Sequence, residues 1–83
     1  VLSSEFLIKD LYYAYKPIKK RVALKVKIRY NHKERKAELI PALNNKIRVK
    51  FKEPQFAVTP GQAAVFYNRN KVIGGGVIDK VLG

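Results

Sequence analysis

The chain is 83 residues long, and eighteen Lys and Arg against six Asp and Glu give it a formal net charge of +12. That length suits one small domain, and the lack of cysteine excludes disulfides, thiolate metal sites, iron–sulfur clusters and a cysteine nucleophile. One histidine, His32, excludes a Ser-His-Asp triad unless it serves as the base, and 47% hydrophobic residues exclude a disordered basic tail.

Near the N-terminus, Phe6 to Leu11 reads as a short strand running into Tyr12-Tyr13-Ala14-Tyr15-Lys16-Pro17. Residues 1–16 are thus expected to form a lead-in strand and a crossover without a helix. From Arg21 to Tyr30 the chain alternates with period two. Val22, Leu24, Val26, Ile28 and Tyr30 fall on one face; Arg21, Lys25, Lys27 and Arg29 fall on the other. This predicts a half-buried antiparallel strand. The polar run from Asn31 to Lys36 predicts a hairpin loop that leaves His32 in solvent. Ala37 to Leu43 reads as a further strand, with Pro41 restricted to an edge or a strand end. Asn44-Asn45 supplies a tight turn, because asparagine tolerates positive φ. Lys46 to Lys52 repeats the alternation with Ile47, Val49 and Phe51 inward.

Ala63 to Tyr67 is apolar on both faces and predicts a central strand covered on both sides. Asn68-Arg69-Asn70 is a hairpin loop into Lys71-Val72-Ile73. Gly74-Gly75-Gly76 then interrupts the strand before Val77-Ile78, which marks a bulge, a barrel corner or the close approach of another backbone. A phosphate cradle is the sharper alternative, but no helix start and no Lys-Ser/Thr pair follows. About six short strands with close turns and no helix predict an all-β fold, a small closed antiparallel barrel. Closure removes exposed edges from a chain rich in β-formers.

The carboxylates Glu5, Asp10, Glu34, Glu38, Glu53 and Asp79 are scattered among lysines, with no evident acid–base pair. Positive charge is better organised. If the strands over 21–30 and 46–52 share one side, Lys25, Lys27, Arg29, Lys46, Arg48, Lys50 and Lys52 form one cationic surface for phosphates. Arg29-Tyr30 sets a cation beside a ring that suits unstacked RNA bases, although alternation directs Tyr30 inward with Ile28. The plainer reading is that half-exposed strands face water through lysine, which also blocks edge aggregation. Charge does not separate the two, nor RNA from DNA or an acidic protein. Pro60-Gly61 presets a turn, so Gln62 is held ready for a base edge or a 2′-hydroxyl, or else closes the turn on backbone.

No apolar run approaches the ~18 residues of a membrane helix and no signal-peptide pattern is present, so a cytoplasmic setting without a membrane is expected. The absence of methionine suggests a domain of a longer protein. Thirteen lysines against five arginines fit an AT-rich genome as well as a function.

The run from Glu53-Pro54-Gln55 to Tyr67, followed by Gly74-Gly75-Gly76-Val77-Ile78, resembles the closing signature of bacterial tRNA-specific 2-thiouridylases (the MnmA family, also called TrmU). Upstream, Lys27-Ile28-Arg29-Tyr30 and Lys9-Asp10-Leu11 match the same family in order. The resemblance covers nearly the whole chain. It implies an elongation-factor domain-2-like barrel over residues 1–83, the last of three domains. It also implies a parent enzyme that uses ATP with magnesium to adenylate the wobble uridine of tRNAs for Lys, Glu and Gln. Sulfur would arrive from a persulfide donor by way of a sulfur-carrier protein. That family keeps its Ser-Gly-Gly-x-Asp-Ser nucleotide loop and catalytic cysteines in the N-terminal domain. Neither is present here, so this chain is expected to hold no catalytic, cofactor or metal residue and to work with its own N-terminal catalytic domains, as a monomer.

The family's tRNA contacts carry over to Arg29, Tyr30 and Gln62, and Lys25, Lys27, Arg48 and Lys50 join them from the cationic faces. Tyr12-Tyr13 replaces the family's usual Asn-Trp, and Phe56 stands where a basic residue is frequent. Two other readings remain: a ribosomal or other RNA-scaffold protein, and a module that only docks onto its own enzyme.

Overall fold

Alternation in the sequence becomes alternation in burial. Val26 and Ile28 are buried while Lys25 is exposed, and Ile47, Val49 and Phe51 are buried while Arg48, Lys50 and Lys52 are exposed. The computed structural model describes residues 2–29 and 32–83. Its strands are β1 (Leu2–Tyr13), β2 (Val22–Lys27), β3 (Arg35–Ala42), β4 (Lys46–Phe56), β5 (Ala63–Asn68) and β6 (Lys71–Val81). They close into a barrel in the order β1-β4-β3-β2-β5-β6, every neighbouring pair antiparallel. The expected all-β closed barrel is therefore the fold. No helix among the described residues is long and apolar enough to cross a membrane.

Strands β1, β4 and β6 run longer than alternation predicts, because bulges break the period without ending the strand. β1 extends from Leu2 to Tyr13 although only 6–11 read as a strand. Its register shifts between Ser3 and Glu5, between Leu7 and Ile8, and between Lys9 and Tyr12, with Asp10 at φ 52°. Each bulge adds bend and twist. One strand can thereby pair with β4 through Leu2–Ile8 and with β6 through Phe6–Tyr13, which closes the barrel. β4 likewise continues to Phe56 and ends where Ala57 turns to φ 54°.

β2 is shorter than predicted, stopping at Lys27, with Ile28 still buried and Arg29 in the bend that follows. Tyr30 lies outside the described residues. β5 corrects a second expectation. A closed barrel has one interior, so Ala64 and Phe66 are buried, Val65 and Tyr67 are half-buried, and Ala63 is exposed. Its apolar outward residues belong to the surface.

The turns follow their residue chemistry. Asn44 and Asn45 stand at φ 62° and 56° between β3 and β4. Pro41 sits at the end of β3 beyond the last residue paired to β2, so its missing N–H breaks no β2–β3 bond. Gly74, Gly75 and Gly76 are buried within β6, where a Cβ would strike the carbonyl oxygens of Tyr12, Ala64 and Lys9 respectively. The triplet permits close backbone approach and faces no open space for a phosphate. Phe6, Ile8, Leu39, Ile47, Phe66 and Ile78 fill the interior, and Phe6 and Phe51 pack tilted with ring centroids 5.5 Å apart.

Candidate nucleic-acid interface

The barrel sorts its charges by side. Glu5 on β1 and Asp79 on β6 gather the cations nearest to them. Arg48 Nε donates to Glu5 Oε2 at 2.9 Å and Lys50 lies 4.0 Å from the other oxygen. Lys46 Nζ donates to Asp79 Oδ2 at 2.7 Å, with Lys9 at 3.9 Å from Oδ1. The hydrogen-bonded Arg48 guanidinium holds the Glu5 carboxyl below the usual carboxylate range, against a lesser opposing effect of burial. The Lys46 ammonium acts in the same way on Asp79.

On the other side, Lys25 and Lys27 of β2, Lys36 of β3 and Lys52 of β4 take part in no ion pair among the described residues. β2 and β4 lie in one stretch of the wall with β3 between them, while Lys46, Arg48 and Lys50 of the expected cationic surface pair with Asp79 and Glu5. Lys25 stands directly across from Lys36, and the register of Ala37 against Phe51 brings Lys36 beside Lys52. These residues border a groove of about 680 Å³ with Ala23, Lys50, Tyr67 and Arg69 in its lining. Glu38 is the carboxylate of that lining, and Arg21 lies 3.7 Å from it. Ligands that fit such a groove are anionic with an apolar part.

Of the residues expected to bind, Lys25 and Lys50 line the groove, while Lys27 lies one step further along β2, opposite Val65. Arg48 sits outside the lining, in its pair with Glu5. Arg29 and Gln62 converge on one loop, the β4–β5 connection over 57–62. Arg29 Nη2 donates to the carbonyls of Phe56 and Ala57, the latter at 2.7 Å. Gln62 Oε1 accepts from the Thr59 N–H at 3.2 Å, and Gly61 before it adopts φ 92°. Val58 plugs the loop into the core. Both polar residues therefore hold backbone, as the plainer reading of Gln62 expected, and Gln62 keeps its Nε2 donor. Among the described residues no three His, Asp or Glu side chains gather to hold a metal, and His32 is exposed.

A family model described as the aminomethyltransferase beta-barrel domain matches residues 3–78. The chain belongs to that family. Among curated relatives, the tRNA-specific 2-thiouridylase MnmA of Caldicellulosiruptor saccharolyticus is 51% identical over 65 residues, 78% of this chain and 18% of the relative. MnmA 2 of Clostridium botulinum strain Hall is 36% identical over 83 residues, 99% of this chain and 24% of its own length. MnmA of Nostoc sp. strain PCC 7120 is 51% identical over 55 residues, 66% of this chain and 16% of the relative. The chain thus spans a quarter or less of the relatives it matches.

Two members of the groove on this aminomethyltransferase-type barrel escaped sequence reasoning. Lys36 belongs to the polar run that reads as a hairpin loop, but β3 already starts at Arg35 and sets its position. Tyr67 lies in a run that reads as a strand covered on both sides, yet it lines the groove next to Lys25. The available signal was five apolar residues in succession in a chain that can bury only alternate ones.

Proposed function

We propose that this barrel holds tRNA for a tRNA-specific 2-thiouridylase and has no catalytic role of its own. The observation that carries the reading is the unpaired cationic side formed by Lys25, Lys27, Lys36 and Lys52. Charges left unpaired on one side of a stable barrel are available to phosphates, and binding through them weakens steeply with salt. The names of the MnmA relatives supply the kind of RNA. Arg29 and Gln62 act by fixing the 57–62 loop, so that its exposed atoms and the Gln62 Nε2 meet the RNA already in place.

The parent enzyme, on this reading, thiolates the wobble uridine of tRNAs for Lys, Glu and Gln in the cytoplasm as a monomer, with a persulfide donor and a sulfur-carrier protein. ATP and magnesium act in the N-terminal catalytic domains. The residues here do not fit ATP, since the one glycine-rich run is packed beneath neighbouring backbone. The barrel's task is register: it fixes the tRNA so that one base reaches chemistry done elsewhere.

Filter binding of tRNA to the chain between 50 and 200 mM salt tests this. Phosphate contacts from these four lysines predict a fall in affinity of roughly a hundred-fold over that range. No binding at the low end, or a flat dependence, leaves a module that only docks onto its own enzyme.

A further inference from the structure

We propose that the groove across β2, β3, β4 and β5 is a subsite for one unstacked nucleotide of single-stranded RNA, its base on the Tyr67 ring and its phosphates on Lys25, Lys36 and Lys52. The inference rests on the reading of the barrel as RNA-contacting and adds where and in what form the RNA is held.

Three observations converge. Tyr67, Lys25 and Lys36 are successive cross-strand neighbours, Tyr67 against Lys25 and Lys25 against Lys36. With strands ~4.8 Å apart, Lys25, Lys36 and Lys52 stand about 5, 10 and 14 Å across the sheet from Tyr67, so their long side chains can reach the phosphates that flank a base stacked on the ring. A groove of about 680 Å³ with the small Ala23 in its lining also leaves room for a flat group that a bulkier residue would crowd.

The third observation is energetic. Like charges directly opposite on a sheet are destabilising, and Lys25 faces Lys36 while Lys36 stands beside Lys52. Folding alone gains nothing from this ladder, and a bound polyanion relieves it. An acidic peptide would satisfy the lysines but has no use for a half-buried ring aimed into the groove. A base does, because aromatic stacking with adjacent cations suits single strands of any sequence. A duplex keeps its bases stacked and cannot offer one to Tyr67. The subsite also lies apart from the 57–62 loop: Arg29 is four residues beyond Lys25, about 13 Å along an extended chain.

The test uses the chain with three fluorescent probes: a single-stranded RNA of about eight nucleotides, the same strand in a duplex, and a polyglutamate peptide. Tyr67→Leu is expected to weaken single-strand binding about ten-fold, with the duplex unchanged and the slope against salt preserved. Tyr67→Phe keeps the ring and is expected to bind as the parent does. Lys25→Gln with Lys36→Gln is expected to reduce the single-strand salt slope by about 1.4. If Tyr67→Leu binds the single strand like the parent, the subsite is wrong while RNA binding by the barrel stands. Polyglutamate binding as tight as the single strand assigns the groove to an acidic protein. A parent chain that binds neither RNA overturns both readings. Should Tyr67→Leu fail to fold, the Tyr67 ring resonances of the parent decide: a shift on adding single strand supports stacking, and a ring that does not respond overturns it.

Discussion

Arg29 donates from Nη2 to the carbonyl of Ala57 at 2.7 Å, and Ala57 is itself held at φ 54°. A left-handed alanine costs about 1–2 kcal/mol, so the guanidinium secures a conformation that the loop would otherwise relax. The 57–62 loop and Arg29 are one mechanical unit.

Arg29→Ala is accordingly expected to act twice. It loosens the loop and lowers stability by about 1 kcal/mol, the scale of an exposed charge-assisted hydrogen bond. It also weakens tRNA binding by roughly 1–3 kcal/mol. Arg29→Lys keeps the charge and the donors but lacks the reach of the planar guanidinium, so it should recover only part of the stability that alanine loses. A Lys variant with parental melting temperature and parental tRNA affinity would remove the loop-anchoring role.

At Gln62 the two atoms of the amide can be separated. Gln62→Glu keeps an acceptor for the Thr59 N–H, removes the donor and adds negative charge. It should melt close to the parent yet bind tRNA less well. Gln62→Ala loses both and should cost about 0.5–1.5 kcal/mol of stability. If the two variants bind tRNA alike and like the parent, Gln62 serves the turn alone.

Gly75→Ala drives a Cβ into the Ala64 carbonyl, with the Tyr12 hydroxyl 3.0 Å away. Backbone cannot step aside as a flexible side chain can. The expected loss is about 1–3 kcal/mol, seen as a lower midpoint in urea. Parental stability would show that β6 can slide, and that the close approach to β5 is not needed for closure.

Lys36→Glu turns the Lys25–Lys36 opposition into an attractive cross-strand pair. Stability should rise by about 0.2–1 kcal/mol while RNA affinity falls. A variant that gains stability without losing RNA would separate the lysine ladder from binding.

Acid should unfold the barrel from its β1–β6 side. Glu5 and Asp79 have folded-state pKa values below their unfolded ones, owing first to Arg48 and to Lys46. Their contribution is complete above the ordinary carboxylate range near pH 4 and is lost as pH falls through the lower folded values. Glu5→Gln with Asp79→Asn should flatten the melting temperature below about pH 4. An unchanged acid limb would assign it to other carboxylates.

Period-two runs made β2 and the first half of β4 readable, because a barrel wall buries every second residue and the sequence shows it directly. Asn44-Asn45 and the glycine triplet were readable through backbone chemistry. The remainder depended on the third dimension. The ends of β1 were hidden because bulges shift the alternation that marks a strand. The pairing of Glu5 with Arg48 joins residues 43 apart in sequence, which no local pattern reports. The groove was hidden for the same reason: Lys25, Lys36 and Tyr67 become neighbours only through strand order.

Barrel closure has a consequence for how this domain comes apart. The seam joins the first strand to the last, and the Gly83 carbonyl accepts from the N–H groups of Ser4 and Glu5 at 2.6 and 2.9 Å. Such a join links residues almost a full chain length apart, so its loop entropy is the largest in the molecule and it forms late. The ribbon β4-β3-β2-β5, which carries the groove, contains no part of the seam. A fluctuation that parts β1 from β6 can expose amide protons there while the lysine ladder stays aligned, so the groove can outlast the barrel that completes it.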